Sequence, residues 1–489
     1  MNAHPTSWLL TKLGDVVQYG VTEKAEPYDI KPNTWVLELE DIEKGTAKVL
    51  HYSNFSERQS RSNKNRFNAG DVLYGKLRPY LSKVVYADRS GVCTTEIVPI
   101  KPNDVVNGRY LFHWLRHPQF LAYVTEVSHG VNMPRLGTEA GRQAPFVLAP
   151  KNEQKRIADK LDSLLARVNT VKPRIAGIAP ILKRFRQSVL ASATSGRLTE
   201  DWRLSNAQLL TQARVDLNVI KSMQIGKIRV RGDAARVDKE RLFAIPLTWD
   251  WVLNHELARD DANAICAGPF GTIFKAKDFR EKGVPIIFLR HVGEGRYLTR
   301  KPEFMATDVW KMHHQPYSVT GGELLVTKLG DPPGTACIYP EGIGTAMVTP
   351  DVIKMDVNSE AADARYLMHF FNSSNSKQII ESLCFGVTRL RIDISMFKTF
   401  PIPLPPRVEQ AEIVRRVDTL FAFADRLEAR AQAAQAAVDR LTPALLAKAF
   451  RGELVPQDPN DEPAAELLKR LRAASSNAAM KPARKRRTA

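Results

Sequence analysis

Shifted by 256 residues, this chain falls into register with itself, and that repetition limits its possible folds more than any other feature. Gly130-Val131 meets Gly386-Val387, and Pro145 meets Pro401. Without a gap, Pro150 meets Pro406, Glu153-Gln154 meets Glu409-Gln410, and Asp162 meets Asp418. Leu190-Ala191 then meets Leu446-Ala447, Gly196 meets Gly452, and Leu198 meets Leu454. Upstream, with small gaps, Gly70-Asp71-Val72-Leu73 and Lys76-Leu77 resemble Gly322-Glu323-Leu324-Leu325 and Lys328-Leu329. Trp8-Leu9-Leu10 resembles Trp251-Val252-Leu253. A period of this length is too long for a solenoid; it reads as a duplicated domain carrying an appendage.

Each copy opens with a mixed segment. Trp35-Val36-Leu37, Val84-Val85-Tyr86 and Glu96-Ile97-Val98, bounded by Gly, Pro and Asn, read as strands. Leu111 to Val124 has a helical pattern, with Tyr366 to Leu383 as its counterpart. Each copy then ends in a long helix. In the first, apolar residues alternate in steps of four and three from Ile157 through Leu161, Leu164, Val168 and Val171 to Val189. In the second they run from Ile413 through Val417, Leu420, Ala424 and Leu427 to Leu441 and Leu445. This is the seam of a coiled coil. Pro173, Pro180 and Pro443 fall on the face away from it, so the predicted helices bend there without losing their contacts. A pseudo-twofold relation between the copies makes the pairing antiparallel.

The expected organisation is α+β: two tandem α/β domains alternating with two long helices that pair as an antiparallel coiled coil. The first mixed domain is assigned to 1–149, a helical spacer to 150–203, and a linker to 204–245. The second mixed domain follows at 246–404, a second spacer at 405–455, and a basic, disordered tail at 456–489.

A net charge of +18 favours a polyanion as partner, and double-stranded DNA is the commonest one inside cells. The excess is concentrated in 150–240, with 19 Lys and Arg against 9 Asp and Glu, and in the tail around Lys481 and Arg484 to Arg487. No apolar run is long enough to cross a bilayer, and the start lacks the pattern of a signal peptide. Cys93, Cys266, Cys337 and Cys384 lie far apart with no metal-ligand spacing, and read as buried thiols of a cytoplasmic protein.

Catalytic patterns are degenerate. Asp331-Pro332-Pro333-Gly334 approaches the motif of amino-methyltransferases, but Gly334 stands where an aromatic would stack on the target base. Gly268-Pro269-Phe270-Gly271 lacks the Lys-Ser/Thr of a phosphate loop, and Pro350-Asp351 lacks the Glu-x-Lys of a nuclease. No catalytic or metal-binding residue is assigned. Arg and Asn make bidentate contacts to guanine and adenine, so exposed loops rich in them are the candidates for reading bases. These are Arg58, Arg61, Asn63, Lys64 and Arg66, with Lys76, Arg78 and Arg135, in the first copy, and Lys328, Arg389 and Arg391 in the second.

The order of these features, twice over, resembles the specificity subunit of type I restriction-modification systems across about residues 5–460. The openings Trp8 to Val16 and Trp249 to Leu257, the Gly-Asp/Glu-x-Leu strands, and Pro150-x-x-Glu153-Gln154 with Pro406-x-x-Glu409-Gln410 carry the resemblance. So do the helix ends Ser195-Gly196-Arg197-Leu198 and Arg451-Gly452-Glu453-Leu454. It implies two target-recognition domains, each reading half of a split DNA site, on a helical spacer that docks two methyltransferase subunits. Two restriction subunits join where the system has them. It also implies a subunit without catalytic activity, adenosylmethionine being held by the methyltransferase. Two other readings remain open on the residues alone: a self-contained methyltransferase or nuclease with degenerate motifs, and a protein-interaction scaffold.

Overall fold

The computed structural model describes residues 4–130, 132–211, 226–230, 242–269, 274–383 and 390–479. In the first copy, α1 (Gly108–Trp114) and α2 (Pro118–Val127) precede α3 (Lys151–Ala176) and α4 (Ile178–Thr194). In the second, α5 (Ala364–Asn372) and α6 (Ser374–Leu383) precede α7 (Arg407–Phe450), and α8 (Ala464–Ala479) follows. The chain divides into two compact units. One is Met1–Ala176 with Gln432–Ala489; the other is Gly177–Ala431. Both are α+β.

In the first unit, strands Leu9–Lys12 and Pro145–Leu148 pair antiparallel and bring the start of the mixed domain beside its end. A three-stranded sheet centred on Val72–Gly75 and a five-stranded sheet containing Lys64–Phe67 fill the space between. The second unit repeats the plan. Asp250–Leu253 pairs with Pro401–Leu404, and Leu324–Thr327 sits inside a four-stranded sheet. Gly70 and Gly322, both with positive φ, make the same turn into the equivalent strands.

The residues that repeat at the 256-residue interval hold the long helices to the mixed domains. Gln154 accepts from the Asn107 amide (2.8 Å) and donates to the carbonyls of Val105 and Ala149. Gln410 accepts from the Asp363 amide (2.7 Å) and donates to the Pro405 carbonyl. Asn107 and Asp363 in turn cap the N-termini of α1 and α5 with their side chains. The repeated Asp162 and Asp418 pair with Arg109 and Arg365, about two turns along the same helices.

Glu153 and Glu409 do more. Both are buried. Glu153 accepts from the Trp8 indole (2.8 Å) and from the Gln457 amide, which arrives from beyond the end of α7. Glu409 accepts from the Trp249 indole (2.9 Å), the Thr199 hydroxyl (2.7 Å) and the Arg203 guanidinium (2.6 Å), which arrive from beyond the end of α4. Trp249, not Trp251, is therefore the counterpart of Trp8. Each indole's own amide also donates to a proline carbonyl three residues before it, Pro5 or Pro246. Gly196 and Gly452 recur because both have positive φ, and a Cβ on either would sit 2.4 Å from the ring of Pro246 or Pro5.

Each mixed domain is thus closed by the end of the other copy's helix. In the first unit, Phe450 packs against Tyr110, Trp114 and His117 at centroid distances of 4.9–5.3 Å. In the second, Val189, Leu190 and Ala193 of α4 join the core around Trp249, Tyr366 and Phe370. Within each unit the helices run antiparallel. Lys172 meets Asp439 in the first, and Arg186 meets Asp425 and Glu428 in the second.

The seam is less evenly buried than the sequence suggests. Ile157, Leu161, Val168, Ile413 and Val417 are buried, while Leu164, Leu420 and Leu427 are half-buried. Near the mixed domains the buried stripe widens to Ala158, Leu165 and Val414, because the helix packs on the domain as well as on its partner helix. Val171 (41%) and Leu441 (44%) are exposed. A straight helix drifts about 20° per heptad from a 3.5-residue repeat, in line with the exposure of Val171, two heptads beyond Ile157, and of Leu441, four beyond Ile413. The first helix is also interrupted at Gly177. Pro180 offers no N–H to the Ala176 carbonyl. Pro173 and Pro443 lie inside continuous helix.

Three further expectations are corrected. Leu111–Val124 is two helices, because Pro118 starts a new one with His117 as its cap; Ser373 divides the counterpart. The supposed disordered tail carries α8, whose Ala464, Leu467 and Leu468 enter the core of the first unit. Its approach is held by Arg156 and the buried Asp461 (2.7 Å). Most of the linker 204–245 lies outside the described residues, as does Lys481–Arg487. Cys93 and Cys337 are buried and Cys266 is partly so; Cys384 lies outside the described residues.

Two predictions follow from this packing. Glu153→Gln turns one acceptor into a donor facing Trp8 or Gln457, and should cost about 1–3 kcal/mol. Glu409→Gln should cost more, because it also strips the charge partner from Arg203. Denaturant unfolding of the two variants checks both size and order. The second prediction concerns acid. Burial, with nearby Arg451 or Arg365, pushes His117 and His369 down to about 4, from an ordinary value near 6.5. The unfolded imidazoles take up protons first, so stability is full above about pH 6.5 and falls as pH drops towards 4. His369→Gln should show a smaller fall in Tm between pH 7 and pH 4.5 than the parent chain.

Candidate nucleic-acid interface

Among the residues singled out in the sequence, one group converges in each domain. In the first, Leu77 pairs antiparallel with Arg135, and the Leu136 amide donates to the Lys76 carbonyl (2.9 Å). The Lys76 amide donates to the carbonyl of Glu96, whose carboxylate also meets the Arg135 guanidinium (3.1 Å). Arg78 follows directly, its amide bonded to the Pro134 carbonyl (2.7 Å). Lys76, Arg78 and Arg135 therefore share one rim.

The second domain builds the same rim. Leu329 pairs with Arg391, and the Ile392 amide donates to the Lys328 carbonyl (3.1 Å). The Lys328 amide donates to the Asp351 carbonyl (2.8 Å), in the place of Glu96. Arg391 is exposed, as Arg135 is. Lys328 is buried, however, and burial together with the Arg391 charge pushes its ammonium below the usual lysine range, against Asp351 and Asp393. Arg389 lies outside the described residues.

The Arg- and Asn-rich stretch from Arg58 to Arg66 does not form the free basic loop expected of it. Arg58 ends the short helix Phe55–Arg58 and is tied to Glu40 (2.6 Å) and to the buried Asp41. Lys64 is buried in strand Lys64–Phe67, its ammonium on Glu38 (2.8 Å) and the Ser62 hydroxyl (2.9 Å). A buried ammonium must be paired, and this one is, so it has no free charge to offer a phosphate. Asn63 donates to Glu26 (2.9 Å), and Arg66 lies between Glu23 and the Asp29 carbonyl. Arg61 is exposed and enters no ion pair among the described residues. The strand's alternation sends Lys64 and Arg66 to one face, a pattern that a run of charges conceals.

Tyr80 was not singled out, yet it stands exposed beside Arg78 on the first rim. The only signal in the sequence is an aromatic within the basic string Lys76 to Lys83, which is weak. The second rim continues into Asp331-Pro332-Pro333-Gly334, a packed turn. The Gly334 amide bonds to the Thr327 carbonyl (2.9 Å), the Lys377 ammonium holds the Pro333 carbonyl (3.0 Å), and both Pro333 and Gly334 are buried. A Cβ on Gly334 would sit 2.4 Å from Ile380, so its backbone is a packing element. Among the described residues no three His, Cys, Asp or Glu side chains gather as a metal site, and no helix is long and apolar enough to cross a membrane. Phe270-Gly271 lies outside the described residues.

Comparison with known proteins agrees with this arrangement. Residues 5–178 and 320–435 match the type I restriction modification DNA specificity domain. The chain is 29% identical to the type I restriction enzyme EcoBI specificity subunit of Escherichia coli, over 78% of this chain and 74% of that one. It is 27% identical to the EcoKI specificity subunit of Escherichia coli K12, over 76% and 73%. Among solved structures, it resembles a chain from a study of assembly and conformational transition of the type I R-M system. The TM-score is 0.62 at 19% identity, covering 92% of this chain and 99% of that one. The HsdS subunit from Thermoanaerobacter tengcongensis gives 0.57 at 18% identity, covering 92% and 98%. With the family matched over more than half of its length and in both copies, the chain belongs to the type I restriction modification DNA specificity domain family.

Proposed function

We propose that this chain is the DNA specificity subunit of a type I restriction-modification complex. It reads a split, asymmetric site in double-stranded DNA and directs a partner adenine methyltransferase to it. The observation that carries the reading is the repeated rim: a shared backbone frame, Lys76-Leu77 against Arg135 and Lys328-Leu329 against Arg391, with an exposed arginine in each copy. Exposed arginines suit both phosphates and the paired acceptors of guanine. Two copies of the frame imply two half-sites. The frames continue into unlike loops, Arg78-Pro79-Tyr80-Leu81-Ser82 and Gly330-Asp331-Pro332-Pro333-Gly334, so the half-sites differ in sequence.

On this reading the subunit itself carries out no bond-making step. Adenosylmethionine belongs to the methyltransferase, of which two copies assemble with this chain, joined by two restriction subunits where the system includes them. The complex works in the cytoplasm, alongside the DNA that it reads. Mapping methylated adenines in DNA from cells that carry this chain and its methyltransferase tests the reading. The expected result is a two-part motif with a fixed gap. A single contiguous motif, or methylation by the purified chain alone with adenosylmethionine and magnesium, defeats it.

The rims also make a finer prediction. Arg135→Ala and Arg391→Ala should each weaken recognition of a different half of the site. A lost bidentate base contact should relax one position by about 1–3 kcal/mol. A lost phosphate contact should instead lower the slope of log K against log salt by about 0.9 without changing base preference. Arg58→Ala should reduce stability and leave the recognised sequence as it was. Binding titrations at several salt concentrations separate the three outcomes.

A further inference from the structure

Among the described residues, four that are not glycine adopt a left-handed backbone: Ala47, Gln59, Arg78 and Ser82. Two of the four bracket one three-residue turn, Pro79–Leu81, with φ of 50° and 48°. That conformation is disfavoured for a residue with a side chain and persists only where the surroundings impose it. Here they do. The Arg78 amide is tied to Pro134, Leu81 to the Arg78 carbonyl (2.9 Å), and Ser82 to the Pro79 carbonyl (2.9 Å). The Gly45 amide holds the Leu81 carbonyl (3.0 Å), and Lys83 anchors the exit on the Leu39 carbonyl (2.6 Å). Pro79 and Ser82 are buried, and between them Tyr80 is 47% exposed. A rigid turn therefore holds an aromatic ring out towards solvent on the rim that also carries Lys76, Arg78 and Arg135.

We infer that Tyr80 is a base-contacting residue of the first domain, which sets its ring against an opened base step in one half-site while the neighbouring cations hold the backbone. The inference rests on the DNA-reading function proposed above and names a residue for it. A ring carried on a fixed backbone leaves only side-chain freedom to lose on contact, and apolar or aromatic side chains inserted at a base step unstack it. Lys76 and Arg78 on the same rim, with Arg135 paired to Glu96 but half exposed, favour a polyanion over an apolar protein surface as the occupant. The second domain has no aromatic in the corresponding stretch Gly330 to Gly334, and its Pro333-Gly334 is packed against α6. Only one half-site should therefore show the opened step.

The test uses the full chain assembled with its methyltransferase. The probes are duplexes carrying the site defined by methylation mapping, with 2-aminopurine placed at each position in turn. The parent complex should raise fluorescence at one step of one half-site. Tyr80→Ala should abolish that rise and weaken specific binding by about tenfold, as expected for loss of one stacked base, with an unchanged salt slope. Tyr80→Phe should keep both. If Tyr80→Ala binds and fluoresces like the parent while Arg135→Ala binds more weakly, Tyr80 has no such role. If Tyr80→Ala instead loses the methyltransferase during size-exclusion chromatography, the ring contacts protein and the inference is overturned. Failure of the parent complex to prefer the mapped site over an unrelated duplex would sink the DNA-reading function itself, a result distinct from either.

Discussion

A buried carboxylate at the start of each long helix is the contact on which the rest of each unit depends. Glu153 and Glu409 lie where a mixed domain, the helix that leaves it and the end of the other long helix meet. A carboxylate in that position must have its oxygens satisfied, because an unpaired buried charge is strongly destabilising. The donors come from separate parts of the chain: an indole just before the mixed domain's first strand, and side chains from beyond the opposite helix. Satisfying one residue thus requires three segments to be in place together. The neighbouring Gln154 and Gln410 set the helix angle by bonding to the backbone that caps α1 and α5.

This arrangement explains why the long helices are more than a spacer. Their starts pack on the domain they leave, and their ends complete the core of the other domain. The coiled-coil pattern is real but serves two kinds of contact. Where the mixed domain is near, the stripe broadens; further along, Val171 and Leu441 turn outwards. Ion pairs such as Lys172 with Asp439 and Arg186 with Asp425 then mark the antiparallel register within each unit. Such exposed pairs add little stability and do more to define alignment.

The rims follow a different rule. Their backbone frame is repeated nearly bond for bond, down to the amide of Leu136 or Ile392 on the carbonyl of Lys76 or Lys328. The loops that continue from the frame are unrelated. A shared frame with divergent tips allows one fold to present two different sets of side chains to a common polymer. Phosphate contacts can then be similar in the two halves while base contacts differ.

The sequence by itself determined the duplication, the α+β class, the strands around Val72 and Leu324, and the long amphipathic helices. These are legible because repetition and hydrophobic period are properties of residue order. It also pointed to Lys76, Arg78, Arg135, Lys328 and Arg391, which the fold gathers on two rims. Only the tertiary structure decided which basic residues are available. Lys64 and Arg58 look like their neighbours in the sequence, but carboxylates from distant segments, Glu38 and Asp41, neutralise them. The same holds for the tail after Val455, where Leu467 and Leu468 find a core only because helix α8 packs onto the first mixed domain. Charge and periodicity are local properties, whereas burial and pairing depend on contacts between residues distant in the sequence, from 17 positions for Arg58 and Asp41 to 145 for Trp8 and Glu153.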